Sequence, residues 1–157
     1  MELYRITQES YADDLSGNGS RLFGGRWNSE GHYALYTSIN RSLALLETLA
    51  HMPVTLFRNK KYILVTHSIP AEAKTSLTII EAKDLPSNWD TLDIQYITQK
   101  IGDKFLQEQK NLIMQVPSVL MPEEYNFVID PLHPMMKQVK ITHQREIRFN
   151  DRLAKNF

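Results

Sequence analysis

The sequence predicts an α+β fold: one domain over residues 1–157, with a mixed, largely antiparallel sheet. Two observations lead to this prediction. Roughly six short segments have the alternation or β-branched content of strands, and two or three have helical spacing. These segments do not follow one another as regular strand–helix–strand units, which disfavours an all-parallel sheet. A chain of 157 residues suits a single domain with a full hydrophobic core.

The first third of the chain predicts a strand, a loop, a strand and a helix. Residues 2–7 alternate β-favouring side chains, and residues 32–37 are rich in aromatic and β-branched residues. Between them, residues 11–25 are rich in glycine and serine, which predicts a loop. Residues 41–51 have the spacing of a helix that ends before a proline.

The remainder of the chain adds a helix and the other strands. Residues 61–69 are the clearest strand, because β-branched residues dominate them and a proline follows. Residues 92–109 place apolar side chains at three- and four-residue steps, which predicts an amphipathic helix. The other predicted strands are residues 77–81, which form a short one, 111–116, 125–129 and 141–149.

Composition excludes several classes of function. The formal net charge is +0, which argues against a general polyanion binder, so we expect no direct nucleic-acid contact. Without cysteine there is neither a disulfide framework nor a thiol nucleophile, and the five histidines lack metal-ligand spacing. We expect no secretion signal, because residues 1–10 lack a basic segment followed by an apolar one, and no apolar run approaches a membrane span of about 20 residues. We therefore expect a cytoplasmic protein.

Glu47 is the first candidate for chemistry. At about 100° per residue, a helix over residues 43–50 places Glu47 between Leu43 and Ala44, within an otherwise apolar segment. A carboxylate on an apolar stripe is costly unless it is paired or hydrogen-bonded. Two interpretations stay open, a partly exposed glutamate at the rim of the stripe and a carboxylate that faces a pocket.

Two arginines are candidate anion ligands. Arg26 follows a glycine pair and precedes an aromatic residue, and its planar guanidinium suits phosphate or carboxylate. Arg5 lies in the first predicted strand, which can direct it inward. The alternatives are a solvated loop arginine for Arg26 and a surface charge on an edge strand for Arg5.

Tyr36 and Ser118 are two further candidate site residues. Tyr36 lies in a predicted strand, where an aromatic side chain either packs in the core or stacks on a planar ligand. Ser118 follows a proline at a strand end, where its hydroxyl either caps a turn or meets a ligand.

An ordered set of short motifs carries a resemblance to a known family. The motifs are Leu3-Tyr4-Arg5, Gly24-Gly25-Arg26-Trp27-Asn28 with Gly31, Leu35-Tyr36-Thr37-Ser38, Ala44 with Leu46 and Glu47, Gly102-Asp103, Val116-Pro117-Ser118, Glu124-Tyr125-Asn126, Asp130-Pro131-Leu132-His133-Pro134 and Phe149-Asn150-Asp151-Arg152-Leu153. In this order and over nearly the whole chain, they resemble the RES-domain family. These are toxins of bacterial toxin–antitoxin pairs, named for an arginine, a glutamate and a serine.

The resemblance implies a fold similar to that of ADP-ribosyltransferases, with NAD⁺ as substrate and cleavage of its nicotinamide–ribose bond. Carried over by position, Glu47, Arg26 and Ser118 are the expected catalytic set. Arg26, Tyr36, Arg5 and Asn126 are the expected substrate-binding residues. No metal is expected. Water, phosphate or a protein side chain remain open as acceptors, so a glycohydrolase, a phosphorylase and an ADP-ribosyltransferase are alternatives.

The resemblance also implies partners. We expect a cognate antitoxin that carries a DNA-binding helix-turn-helix domain and covers the cleft, with a possible homodimer of the toxin in the complex. A different class of function also stays open, a non-catalytic module that binds a nucleotide or a partner with the same fold.

Overall fold

The computed structural model describes residues 1–154, and a seven-stranded sheet forms its centre. The strands of this sheet are β1 (Glu2–Gln8), β2 (Leu35–Ser38), β3 (Tyr62–Ser68), β4 (Thr78–Ile79), β5 (Ile113–Pro117), β6 (Tyr125–Ile129) and β7 (Lys140–Ile147). Their order across the sheet is β4-β5-β6-β2-β1-β3-β7. Within the described residues, β4 and β5 run parallel and every other neighbouring pair is antiparallel. The predicted α+β class with a mixed, largely antiparallel sheet is confirmed.

Six α-helices surround the sheet in the described part of the chain. They are α1 (Asn18–Phe23), α2 (Arg41–His51), α3 (Val54–Asn59), α4 (Ala71–Thr75), α5 (Gln95–Glu108) and α6 (Asp151–Ala154). Short 3₁₀ turns cover Glu9–Tyr11, Ala82–Asp84 and Pro134–Gln138. None of the helices within residues 1–154 is long and apolar enough to cross a bilayer.

The predicted helix over residues 41–51 has the predicted bounds, because Asn40 caps it. The Asn40 side chain accepts a hydrogen bond of 2.8 Å from the amide of Leu43, which satisfies one of the free amides of the first turn. The predicted loop over residues 11–25 is wrong in part. It contains the two-turn helix α1, which begins after Gly17 in the left-handed conformation and ends at Gly24. Glycine at both ends therefore delimits a helix here and does not merely loosen a loop.

Other bounds differ from the prediction by a few residues. The predicted strand over residues 32–37 pairs only over Leu35–Ser38, and the predicted helix over residues 92–109 begins at Gln95. The helices α3 and α4 were not predicted. Each follows a proline, and such short helices carry too few residues to show a helical period. Residues 155–157 lie outside the described part of the chain.

The two faces of the sheet have separate cores. Side chains alternate between faces along a strand, so Leu3 and Phe127 lie on one face and Tyr4 and Val128 on the other. The first face is covered mainly by α4 and the turn Pro134–Gln138. The second face is covered by α2 and α5, and it carries the candidate site.

The sheet opens between its two central strands. β1 pairs with β3 at all seven of its residues, from Glu2 to Gln8. In the described chain, β1 pairs with β2 only where Tyr4 lies opposite Ser38. Beyond that pair the two strands diverge, and the unpaired edge of β1 over residues 5–8 borders a cleft.

Candidate functional site

A cavity of about 700 Å³ occupies the opening between β1 and β2. Its wall includes five of the six predicted site residues: Arg5, Arg26, Tyr36, Glu47 and Asn126. The α2 helix forms one side, and the loop after α1 forms another. Residues that lie far apart in the sequence therefore meet at the point where the sheet separates.

Glu47 is held by one of its two carboxylate oxygens. Its Oε1 accepts a hydrogen bond of 2.8 Å from the hydroxyl of Ser118 and one of 2.5 Å from the Nδ2 of Asn126. Its Oε2 has no hydrogen bond within residues 1–154, and the Nε2 of His51 lies 3.9 Å away. The side chain is 21% exposed, so it is neither free in solvent nor sealed in the core. Two donors thus orient the carboxylate and leave one oxygen for a ligand.

Ser118 lies behind Glu47 and does not line the cavity. Its side chain is fully buried, and its Oγ accepts hydrogen bonds of 3.1 Å from the amides of Leu120 and Met121. With both acceptor positions occupied, the hydroxyl proton is directed to Glu47. Ser118 therefore caps the turn that follows β5, and its hydroxyl also orients the carboxylate of Glu47.

Asn126 is oriented by a second serine. β6 places Asn126 opposite Ser38 of β2, and the Oγ of Ser38 donates a hydrogen bond of 2.7 Å to its Oδ1. This contact turns the Nδ2 of Asn126 toward Glu47. Ser38 was not among the predicted site residues, because nothing in the local sequence shows which residue lies opposite it in the sheet.

Arg26 is anchored by main-chain carbonyls. Its Nη1 donates to the carbonyl of Trp89 at 3.0 Å and to that of Thr91 at 3.5 Å, and its Nη2 donates to that of Asp90 at 3.2 Å. The Nε–H and one hydrogen of Nη2 have no hydrogen bond within the described residues. These two donors are available to a ligand, and guanidinium N–H groups suit contact with phosphate. Partial burial lowers the pKa of Arg26, and the negative charges of Asp90 and Glu47 oppose that shift.

Tyr36 organises the loop that carries Arg26. Its hydroxyl accepts a hydrogen bond of 2.9 Å from the amide of Trp27 and donates one of 2.7 Å to the Oδ1 of Asn28. Burial raises the pKa of Tyr36, so the hydroxyl keeps its proton at neutral pH. A Cβ on Gly25 would lie 2.7 Å from this hydroxyl and 2.9 Å from Asn28 Oδ1, which explains a glycine there.

Arg5 reaches the cavity wall but is already engaged. Its Nη1 donates a hydrogen bond of 2.9 Å to the carbonyl of Asp14. Strand alternation puts Arg5 on the face of Leu3, opposite the face of Tyr4 that α2 covers. Burial lowers the pKa of Arg5, and the charge of Asp14 opposes this. The guanidinium therefore ties the segment after β1 to the sheet.

His51 is a cavity residue that the sequence analysis missed. It lies one helical turn after Glu47, with its Nε2 3.9 Å from Glu47 Oε2, and it lines the same cavity. The available signal was the four-residue spacing on α2, which puts both side chains on one face. Within residues 1–154, no group of three or more His, Asp or Glu side chains is arranged to hold a metal ion.

This arrangement suits a particular kind of substrate. The cavity joins a carboxylate with one available oxygen, a cation with free N–H donors and an aromatic ring. A ligand with an anionic group, a planar ring and a centre that becomes positive during reaction would match all three.

Comparisons with known proteins agree with the fold and the motifs. The model of the RES domain family matches residues 2–150. A Sphingobium protein named Prs ADP-ribosylating toxin is 35% identical over 144 residues, covering 92% of this chain and 89% of the relative. A Yersinia enterocolitica protein named Toxin Res is 34% identical over 135 residues, covering 85% and 86%. In structure, the chain is similar to a chain of the M. tuberculosis MbcT–MbcA toxin–antitoxin complex. Their TM-score is 0.73 at 19% identity, and the match covers 93% of this chain and 83% of that one.

Proposed function

The chain belongs to the RES domain family, and from this premise we propose that it is a toxin of a bacterial toxin–antitoxin pair. We propose that it cleaves NAD⁺ at the nicotinamide–ribose bond and so depletes NAD⁺. The observation that carries the proposal is the geometry of Glu47. Two hydrogen bonds hold one carboxylate oxygen, and the other is available in a cavity that also contains Arg26.

The names of relatives support a reaction of this class. The Sphingobium relative is named an ADP-ribosylating toxin, and ADP-ribosylation breaks the same nicotinamide–ribose bond of NAD⁺. The Yersinia relative is named a toxin. Both match more than four-fifths of this chain.

In the proposed reaction the bond between C1 of the ribose and the pyridinium nitrogen breaks. Its electron pair leaves with nicotinamide, which departs as a neutral molecule, and the ribose gains oxocarbenium character. The Oε2 of Glu47 stabilises this positive charge and accepts a hydrogen bond from a ribose hydroxyl. Water then bonds to C1 and releases one proton to solvent, which yields ADP-ribose.

The other residues bind and orient. The free N–H donors of Arg26 bind the pyrophosphate, and the ring of Tyr36 packs against nicotinamide while its hydroxyl holds the loop. Ser118 and Asn126 orient Glu47. For Arg5, the bond to Asp14 supports a role in shaping the cavity wall.

A second candidate is transfer of ADP-ribose to a protein side chain. It uses the same bond cleavage and the same residues, with a nucleophile of a target protein in place of water or phosphate. The name of the Sphingobium relative favours this candidate. Mass spectrometry of a bacterial lysate incubated with the protein and labelled NAD⁺ distinguishes the two, because only the transferase leaves ADP-ribose on protein.

We also propose that the protein acts in the cytoplasm and is restrained there by a cognate antitoxin with a helix-turn-helix domain. The structurally similar MbcT chain was solved in a toxin–antitoxin complex. Copurification with the product of the adjacent gene, followed by measurement of the mass of the complex, tests this and reports whether the toxin forms a homodimer within it.

The first prediction tests the proposed role of Glu47. Incubated with NAD⁺, the wild type should release nicotinamide, and Glu47→Gln should reduce the rate by about 10²–10³-fold, because the neutral amide does not stabilise the ribosyl cation. Glutamine keeps the size of the side chain and an oxygen that can accept from Ser118. Glu123→Gln, at an exposed position, is the matched control and should leave the rate unchanged.

Two results would contradict the proposal. One is equal rates for the wild type and Glu47→Gln. The other is a wild type that releases no nicotinamide with water, phosphate or lysate proteins as acceptors.

A further inference from the structure

One face of α5 follows the main chain of the loop that carries Arg26. The residues of this face recur at three- and four-residue steps, so they form one stripe along the helix. They are Gln95, Thr98, Gln99, Gly102 and Asp103. We call this set the polar stripe. The proposed function assigns the polar stripe no role.

The first half of the stripe satisfies two consecutive carbonyls of the loop. The carbonyl of Gly25 accepts hydrogen bonds from the Nε2 of Gln95 at 3.0 Å and from the Nε2 of Gln99 at 2.9 Å. The carbonyl of Arg26 accepts one of 2.6 Å from the Oγ1 of Thr98. These bonds fix the peptide units on both sides of the Arg26 Cα.

Gln99 also closes the loop. Its Nε2 donates to the carbonyl of Asn28 at 3.3 Å as well as to that of Gly25. The amide of Gly25 donates to the same Asn28 carbonyl at 2.9 Å, so residues 25–28 form a tight turn. One side-chain amide thus spans both ends of the turn in which Arg26 lies.

The second half of the stripe sets how near the loop lies to the helix. A Cβ on Gly102 would lie 1.6 Å from the carbonyl oxygen of Trp27, so the main chain of the loop occupies the place of a side chain. One helical position later, the Oδ1 of Asp103 accepts a bond of 2.9 Å from the amide of Ser29, and its Oδ2 accepts one from the Ser29 hydroxyl.

The side chain of Arg26 is held by the residues just before α5, through the carbonyls of residues 89–91. Both the backbone and the guanidinium of Arg26 therefore depend on one continuous segment, residues 89–103. Ordinary packing of a loop on a helix does not need a polar contact at almost every residue of the loop. Because most of the bonds from the stripe go to main-chain atoms, they fix the path of the loop backbone.

We propose that the polar stripe of α5 positions Arg26 for the anionic part of its substrate, with Gln99 as the principal positioning residue. The identity of that substrate as NAD⁺ rests on the proposed function. Gln99 does not touch substrate in this scheme. It acts through the placement of the Arg26 guanidinium, whose free N–H donors bind pyrophosphate at a distance from the bond that breaks.

This role predicts a particular kinetic signature for Gln99→Leu. Leucine removes the donor to Gly25 and Asn28 with little change in volume. Displacing a group that contacts substrate equally in the ground and transition states raises KM and spares kcat. We expect KM for NAD⁺ to rise about tenfold with kcat changed by less than about threefold. Gln107→Leu makes the same exchange at an exposed position of α5 and should change neither.

A double-mutant cycle separates positioning from general damage. If Gln99 acts through Arg26, then Gln99→Leu should raise KM much less in an Arg26→Ala background than in the wild type. Thr98→Val, which removes the donor to the Arg26 carbonyl at nearly constant shape, should give the same pattern and serves if Gln99→Leu folds poorly. An equal rise of KM in both backgrounds, or no rise in the wild type, overturns the proposal.

A measurement without substrate keeps this test distinct from the test of the proposed function. Amide hydrogen exchange of residues 24–29 should accelerate in Gln99→Leu and stay unchanged in Gln107→Leu, with the strands β5 and β6 unaffected in both. If the wild type neither binds nor cleaves NAD⁺ but the exchange result is as expected, the proposed function fails and the positioning of the loop stands. Unchanged exchange in Gln99→Leu overturns the positioning itself.

Discussion

At the scale of single residues, the contacts of Ser118 indicate whether it binds substrate or orients Glu47. Sequence position alone leaves a serine after a proline open to several roles. In the structure, its hydroxyl is buried, receives two main-chain amides and directs its proton to Glu47. Ser118 therefore acts through Glu47. The proposed chemistry predicts that its substitution lowers kcat, whereas substitution of a residue that contacts the substrate would also raise KM.

Substituting Ser118 by alanine tests this distinction. We expect kcat for nicotinamide release to fall about 10–100-fold, because hydrogen bonds to charged groups contribute about 1.5–3 kcal/mol and each 1.36 kcal/mol changes a rate tenfold. KM should change little, since Ser118 does not line the cavity. Steady-state kinetics give both parameters. Ser87→Ala, at an exposed position, is the control, and a rise of KM without loss of kcat would show that Ser118 contacts substrate.

At the scale of elements, α5 packs against the sheet with one face and against the loop that carries Arg26 with another. The apolar residues at three- and four-residue steps predict a helix packed on the sheet, and Phe105 and Leu106 are buried there. Glycine weakens a helix in the absence of other contacts. The structure explains Gly102, because the carbonyl of Trp27 lies where its side chain would be.

The prediction at this scale is that Gly102→Ala destabilises the protein although alanine is the better helix former. Alanine favours the helix by about 1 kcal/mol, but overpacking costs about 1–3 kcal/mol and occasionally more. With a contact of 1.6 Å, we expect the free energy of unfolding to fall by about 2 kcal/mol. Urea denaturation measures it. Gly19→Ala in α1, where a Cβ meets nothing within 4 Å, should be neutral or stabilising. Equal stability of Gly102→Ala and the wild type would contradict the close approach.

At the scale of the whole molecule, a buried histidine links stability to pH. His67 lies in β3, fully buried, and neither ring nitrogen has a hydrogen-bond partner within the described residues. Burial and, to a smaller extent, the nearby charge of Arg5 lower the pKa of His67 to about 4, and the main chain of Leu3 opposes this shift. The folded protein therefore holds the neutral imidazole, while the unfolded chain binds a proton below its ordinary pKa of about 6.5.

The sign of the pH dependence follows from that difference. Between about pH 6.5 and pH 4 the unfolded state binds more protons, so the free energy of unfolding falls as the pH falls, by up to about 3 kcal/mol from this residue. Denaturation of His67→Leu at pH 7 and pH 4.5 should show a smaller loss on acidification than the wild type. His143→Leu, at an exposed position of β7, should match the wild type. If the free energy of unfolding changed with pH equally in the wild type, His67→Leu and His143→Leu, His67 would not contribute to the loss of stability in acid.

Much of this molecule follows from the sequence alone. The fold class, the bounds of α2 and the membership of the family come from local periodicity and from ordered motifs. These are properties of neighbouring residues, and a single chain displays them directly. The same motifs selected Arg26, Tyr36 and Glu47, which the structure places around one cavity.

The tertiary structure decided how those residues work. The bond from Ser118 to Glu47 spans 71 positions, and that from Gln99 to Gly25 spans 74. Such partners depend on strand register and on how a helix rotates against a loop, which no local pattern encodes. For the same reason only the structure shows that Arg5 is engaged by Asp14 and that the sheet opens between β1 and β2.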